Sequence, residues 1–180
     1  MNYVFIGGSK SGKSKLSEDL ALKLCQKDIL YIATMKAYDI EDEERIKKHI
    51  KRRENLNFIT IEKEKNIHEL INEINEDDTV LLDSITSLLN NEMFHKNSIV
   101  KNASSKIICG INNIMKKAKN VIIVSDYIFN DAITYDEVSE EYKKELSLIN
   151  MFLVQKCENG FECAFGNMEI HKGGAYEKYI

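Results

Sequence analysis

The chain has 180 residues, 43% of them hydrophobic and 30% charged, an ordinary globular balance that excludes wholesale disorder and collagen-like repeats. Its 25 Lys and Arg against 29 Asp and Glu give a net charge of -4, which argues against a nucleic-acid coat. Proline is absent, so Pro-rich linkers and PxxP ligands are excluded and helices run without that break.

The start of the chain, Met1 to Gly7, lacks the basic and long apolar regions of a signal peptide. It is instead the first strand-like run, at Tyr3 to Ile6. Others follow at Ile29 to Ala33, Phe58 to Ile61, Thr79 to Leu82 and Val121 to Val124, rich in β-branched and aromatic residues. Between them the spacing predicts helices. Lys13 to Gln26 carries Leu16, Leu20 and Leu24 on one face, and Ile67 to Ile74 and Lys106 to Lys117 show the same period. Tyr135 to Gln155 is a further helix, and Phe161 to Ile170 gives one or two closing strands. Strands alternating with helices predict an α/β fold with a mainly parallel sheet, one domain over residues 1–172 and a tail over 173–180. No run is long enough to span a membrane. Cys25, Cys109, Cys157 and Cys163 have no metal-binding spacing and are expected as buried thiols of a reducing cytosol, so a soluble cytoplasmic protein is expected.

In such sheets ligands bind beyond the carboxyl ends of the strands. The first strand is followed there by Gly7-Gly8-Ser9-Lys10-Ser11-Gly12-Lys13-Ser14, a G-x-x-x-x-G-K-[ST] phosphate loop that opens a helix. Small residues let backbone N–H groups curl around phosphate oxygens, and the helix N-terminus adds its positive dipole end. Lys13 is placed to reach β and γ phosphates and Ser14 to ligate Mg²⁺. Two strand ends offer a partner carboxylate, Asp83 and Asp126. Either could serve the metal or phosphates, or simply cap the next helix.

Charge is unevenly distributed. Five acids within Asp39 to Glu44 run into Arg45-Ile46-Lys47-Lys48-His49-Ile50-Lys51-Arg52-Arg53, whose six cations leave the rest of the chain at -10. Acids first and cations last suit any solvated helix. On helical geometry, however, Arg45, His49 and Arg52 fall within about 60° of one another. An imidazole between guanidiniums suits a polyanion such as a nucleoside triphosphate, and neighbouring cations keep it neutral and nucleophilic. His68, His95 and His171 are expected at the surface or at helix ends.

The succession of the phosphate loop, Tyr31-Ile32-Ala33-Thr34, Arg45-Ile46-Lys47-Lys48-His49, Thr60-Ile61-Glu62 and Leu81-Leu82-Asp83-Ser84-Ile85-Thr86 resembles the bifunctional adenosylcobinamide kinase / adenosylcobinamide-phosphate guanylyltransferase family of cobalamin biosynthesis. The resemblance implies a P-loop NTPase-like fold and two reactions. A nucleoside triphosphate, ATP or GTP, phosphorylates adenosylcobinamide. GTP then guanylylates His49, and the phosphate of adenosylcobinamide phosphate displaces it to give adenosylcobinamide-GDP. Nucleotide contacts are implied for Gly7, Gly8, Ser9, Lys10, Ser11, Gly12, Lys13 and Ser14, and for Ala33, Thr34, Met35, Ile50, Lys51, Arg52, Arg53, Glu62 and Asp83. Ser14 and Asp83, from the loop and the strand end, are the expected metal ligands, and the resemblance implies a homotrimer. The segment Asp126-Tyr127-Ile128-Phe129 departs from the family pattern, which has an Asn-Glu-x-Gly-like stretch and a Pro there.

A second reading stays open: a small P-loop metabolite kinase whose basic helix clamps phosphates without a covalent nucleotide. A nucleotide-dependent switch would need Asp-x-x-Gly and Asn-Lys-x-Asp segments, and the sequence has neither.

Overall fold

The computed structural model describes residues 1–95, 98–128, 133 and 135–174. The chain runs β1 (Asn2–Gly7), α1 (Lys13–Leu24), β2 (Ile29–Ala33), α2 (Ile40–Arg53) and β3 (Phe58–Glu62). A 3-10 helix (Ile67–Asn72) leads to β4 (Thr79–Asp83), α3 (Ile85–Met93) and the short hairpin β5 (Phe94–His95) and β6 (Ser98–Ile99). Then follow α4 (Ala103–Lys117), β7 (Asn120–Asp126), α5 (Glu137–Lys156), β8 (Asn159–Ala164) and β9 (Asn167–Lys172).

Seven strands form one sheet in the order β3-β2-β4-β7-β1-β8-β9. All neighbours are parallel except β8 and β9, which make an antiparallel edge. The central strands are apolar at successive positions because both of their faces are covered. On β1, Tyr3 and Phe5 join Leu20 and Ala21 of α1 in one layer, while Val4 joins Leu88, Ile107 and Ile149 of α3, α4 and α5 in the other. Each such fully buried side chain contributes roughly 1.5–3 kcal/mol relative to exposure. The expected α/β fold is the one found.

Three expectations change. The helical spacing at Ile67 to Ile74 gives a 3-10 helix over Ile67–Asn72, enough to bury Ile67 and Leu70 against α4. Helix α3 is not among the expected helices, although Ile85, Leu88 and Leu89 carry the i, i+3, i+4 pattern and are all fully buried. Cys157 and Cys163 are buried free thiols as expected, but Cys109 is exposed and Cys25 half-buried. His171 is at the surface as expected, on β9. Phe129 and residues 175–180 lie outside the described residues. Among the described residues no helix is long and apolar enough to cross a membrane.

Candidate nucleotide site

The phosphate loop leaves β1 at a point where only glycine fits. A Cβ on Gly7 would stand 2.4 Å from the Cys163 carbonyl oxygen and 2.6 Å from Ser11 Oγ. Gly12 holds the left-handed φ of 94° from which α1 starts. The turn between β8 and β9 braces the loop: the Gly166 amide donates to the Ser11 carbonyl at 2.9 Å. Lys13 is buried; its Nζ donates to the Gly8 carbonyl at 3.1 Å and stands 2.6 Å from Asp126 Oδ1. Ser9 and Lys10 are exposed, and Ser14 is half-buried in the first turn of α1.

Parallel register sets the rest of the site along the carboxyl ends of the strands. Asp126 lies beside Gly7, while Asp83 ends β4, one strand further away with β7 between. Ala33 is the register partner of both Asp83 and Glu62, so Glu62, Ala33 and Asp83 form a row across three strands. Helix capping explains neither aspartate. Ser84 accepts from the Ser87 amide to cap α3, and Asp136 accepts from the Val138 and Ser139 amides to cap α5. Asp83 Oδ2 instead accepts the Tyr31 hydroxyl at 2.9 Å. Burial first, and then the Asp83 charge, raise the pKa of that hydroxyl far above its ordinary value.

Helix α2 carries the basic segment to this row. Asp39 caps it by accepting from the Asp42 amide at 2.9 Å, and its acids occupy the first turn and Lys51, Arg52 and Arg53 the last. Glu18, buried on α1, catches the end of α2. Its Oε1 accepts from Arg52 Nη2 at 2.8 Å, its Oε2 lies 2.7 Å from Arg52 Nε, and Arg53 Nη1 is 3.6 Å from Oε1. Arg53 is itself buried, with its guanidinium 3.5 Å from the centroid of the Tyr31 ring. Burial pushes the Glu18 carboxyl above its usual range against the opposing pull of the two arginines.

His49, on the same helix, is half-buried and within electrostatic reach of Arg52, Arg53 and Asp83. Its Nδ1 is buried without a hydrogen-bond partner, and so are Arg53 Nε and Nη1. Burial lowers the imidazole pKa most; the Asp83 carboxylate opposes this, while Arg52, Arg53 and Arg45 add to it. Together these effects favour the neutral imidazole.

The structure thus brings the phosphate loop, Asp83, His49, Arg52 and Arg53 to one end of the sheet. Arg45 and Lys51 stay exposed, as does Ile50 at 46%. Thr34 is fully buried: its Oγ1 donates to the Ser84 carbonyl at 2.7 Å and accepts from the Ser84 amide at 2.9 Å, which ties the ends of β2 and β4 together. Ala33 and Met35 are half-buried, and Glu62 is exposed at the end of edge strand β3. The sequence reading missed Glu18 and Tyr31. A lone acid on the apolar side of a helix was the available signal for Glu18; its partners are distant in the chain and unreadable from spacing.

Among solved structures the chain is similar in fold to the ATP synthase subunit NeqB from Nanoarcheaum equitans, at 14% identity and a TM-score of 0.54. That match covers 89% of this chain and 44% of NeqB. It is also similar to PH0250 from Pyrococcus horikoshii OT3, at 10% identity and a TM-score of 0.53, over 96% of this chain and 86% of the other. At such identities the likeness shows the fold alone. No curated protein matches the chain significantly. The family model for cobinamide kinase / cobinamide phosphate guanyltransferase matches residues 3–169, from the first strand through the phosphate loop and basic helix to the closing hairpin. That match takes in almost every element built above, and the chain belongs to this family of enzymes.

Proposed function

We propose that the chain carries out both reactions of its family, with His49 as the covalent carrier in the second. The observation that carries this reading is the buried Nδ1 of His49, which has no hydrogen-bond partner; Arg53 Nε and Nη1 have none either, although Nη1 lies 3.6 Å from Glu18 Oε1. Orphaned buried polar atoms are costly unless a ligand satisfies them, and two guanidinium donors beside a neutral imidazole suit a phosphate. In this reading the imidazole attacks the α-phosphorus of GTP. A nitrogen–phosphorus bond forms, the bond to the β-phosphate oxygen breaks, and pyrophosphate leaves. The phosphate oxygen of adenosylcobinamide phosphate then attacks the same phosphorus and displaces His49. Arg52 and Arg53 stabilise the charge that develops on the phosphate oxygens.

Lys13 and the amides of Gly7 to Ser14 hold the triphosphate in both reactions, with ATP or GTP as the donor in the kinase step. Ala33, Thr34, Met35, Ile50, Lys51 and Glu62 line the nucleotide's path in this proposal, Thr34 by fixing the ends of β2 and β4 through its engaged hydroxyl. The hydroxyl of Ser14 and the carboxylate of Asp83 are hard oxygen donors that fit Mg²⁺, whose charge would screen the phosphates. A homotrimer in the cytoplasm completes the reading.

Incubation with α-labelled GTP followed by denaturation tests the covalent step. Acid-labile label on wild-type protein, absent from His49→Ala, is the expected result. Wild-type protein that forms product yet retains no label leaves a P-loop kinase without a covalent nucleotide.

A further inference from the structure

Ala164 and Asn167 are register partners, so Phe165 and Gly166 make a two-residue turn between β8 and β9. Both hold left-handed backbone, with φ of 53° and 79°, as a type I′ hairpin turn requires. Asn and Asp take the first of these positions most readily, since a short polar side chain tolerates that conformation better than a bulky one. Here it carries a phenylalanine whose ring is 98% exposed, more than any other large apolar side chain among the described residues. Strained backbone and an uncovered ring are two costs in one residue, and strain of this kind concentrates where a ligand is held.

The turn is tied to the phosphate loop. The Gly166 amide donates to the Ser11 carbonyl at 2.9 Å, and a Cβ on Gly12 would stand 3.1 Å from Gly166 Cα. Phe165 is thus the chain neighbour of a residue that touches the loop backbone. Strand order decides which part of a nucleotide comes to it. In the sheet, β7 and β4 lie on one side of β1 and the closing hairpin on the other. Lys13, the residue that takes β and γ phosphates, is 2.6 Å from Asp126 at the end of β7, and Asp83 ends β4 one strand further. The terminal phosphates of a donor in the loop therefore face β7 and β4, and its nucleoside lies toward β8.

We propose that the Phe165 ring is the platform on which the base of the nucleoside triphosphate donor stacks. The proposal rests on the kinase half of the function given above. Every base has a π-face, so a lone aromatic ring accepts adenine and guanine alike. A donor site built this way takes ATP or GTP, with its affinity shared between the phosphates in the loop and the ring beside it.

The test is calorimetric titration of the full chain with ATP, GTP and inorganic tripolyphosphate, which has the phosphates but no base. Phe165→Ala is expected to weaken ATP and GTP about tenfold each, within what base–aromatic stacking supplies, and to move tripolyphosphate less than twofold. Phe165→Tyr should bind both nucleotides within about twofold of wild type, since the ring is kept. The chain has no tryptophan, so Phe165→Trp supplies a single indole whose emission ATP and GTP should quench and tripolyphosphate should not. The proposal is overturned if Phe165→Ala keeps both nucleotide affinities within twofold of wild type. It is equally overturned if tripolyphosphate weakens as much as the nucleotides, which would make the turn only a brace for the loop. Binding is read without turnover, so the two readings fail separately. Wild-type protein that binds nucleotides in this manner yet transfers no γ-label to cobinamide overturns the kinase reading instead.

Discussion

Arg53 lays its guanidinium 3.5 Å from the centroid of the Tyr31 ring, while the hydroxyl of the same tyrosine donates to Asp83 at 2.9 Å. One aromatic side chain thus fixes both a cation of α2 and a carboxylate of β4. A planar guanidinium stacked on a ring has no counterpart in lysine. Arg53→Lys should therefore lower the rate of His49 labelling by GTP at least tenfold. A rate within twofold of wild type would show that charge alone suffices there.

Glu18 holds the far end of the same helix. Its removal leaves Arg53 buried without a counter-charge, a loss that in deep burial reaches about 3–5 kcal/mol and is smaller here because Arg52 is partly exposed. Glu18→Ala should lower the thermal midpoint by several degrees and also raise the GTP concentration needed for half-maximal labelling. If labelling is unaffected at temperatures where the variant is folded, Glu18 serves stability alone.

Burial and three arginines hold the His49 imidazole below its ordinary pKa, with Asp83 in partial opposition. A lowered pKa keeps the neutral, nucleophilic form present at pH values where a free imidazole, with a pKa of about 6.5, is already half protonated. Guanylylation should fall on the acid side only below that value. Asp83→Asn removes the opposing charge and should move the acid limb lower still, as read from labelling rates between pH 5 and 8. A limb that moves upward would contradict the assigned signs.

Lys13→Ala should lower both half-reactions by a factor of about a hundred or more, since electrostatic stabilisation of phosphates is lost in each. An unchanged kinase rate would show that the loop serves only the second nucleotide. Gly7→Ala forces a Cβ to within 2.4 Å of a backbone oxygen, so the loop must shift; nucleotide affinity should drop in calorimetric titration.

The parts that could be read from residues alone were those encoded locally. The phosphate loop is a contiguous string between a strand and a helix, and the strands show themselves as apolar runs. The basic segment gave its helix but not its orientation. Helical geometry put Arg45, His49 and Arg52 on one face, whereas Arg53 is the buried cation and Arg52 turns to Glu18. That outcome depends on where α1 lies, which no spacing within α2 encodes. Thr34 makes the same point, for its hydroxyl is consumed by a bond to Ser84 across two strands. Asp83 and Asp126 were legible as strand-end acids. Their division, one beside Tyr31 and one against Lys13, required the strand order.

The brace between Gly166 and Ser11 has a consequence for synthesis. The phosphate loop leaves the ribosome well before the turn that secures its carbonyl, which belongs to the last hairpin of the sheet. A nascent chain that has laid down β1 to β7 still lacks two strands on the flank of β1, and its loop is held from one side only. Nucleotide that binds the braced loop should then stabilise the finished sheet by mass action more than a chain that stops short of the closing hairpin.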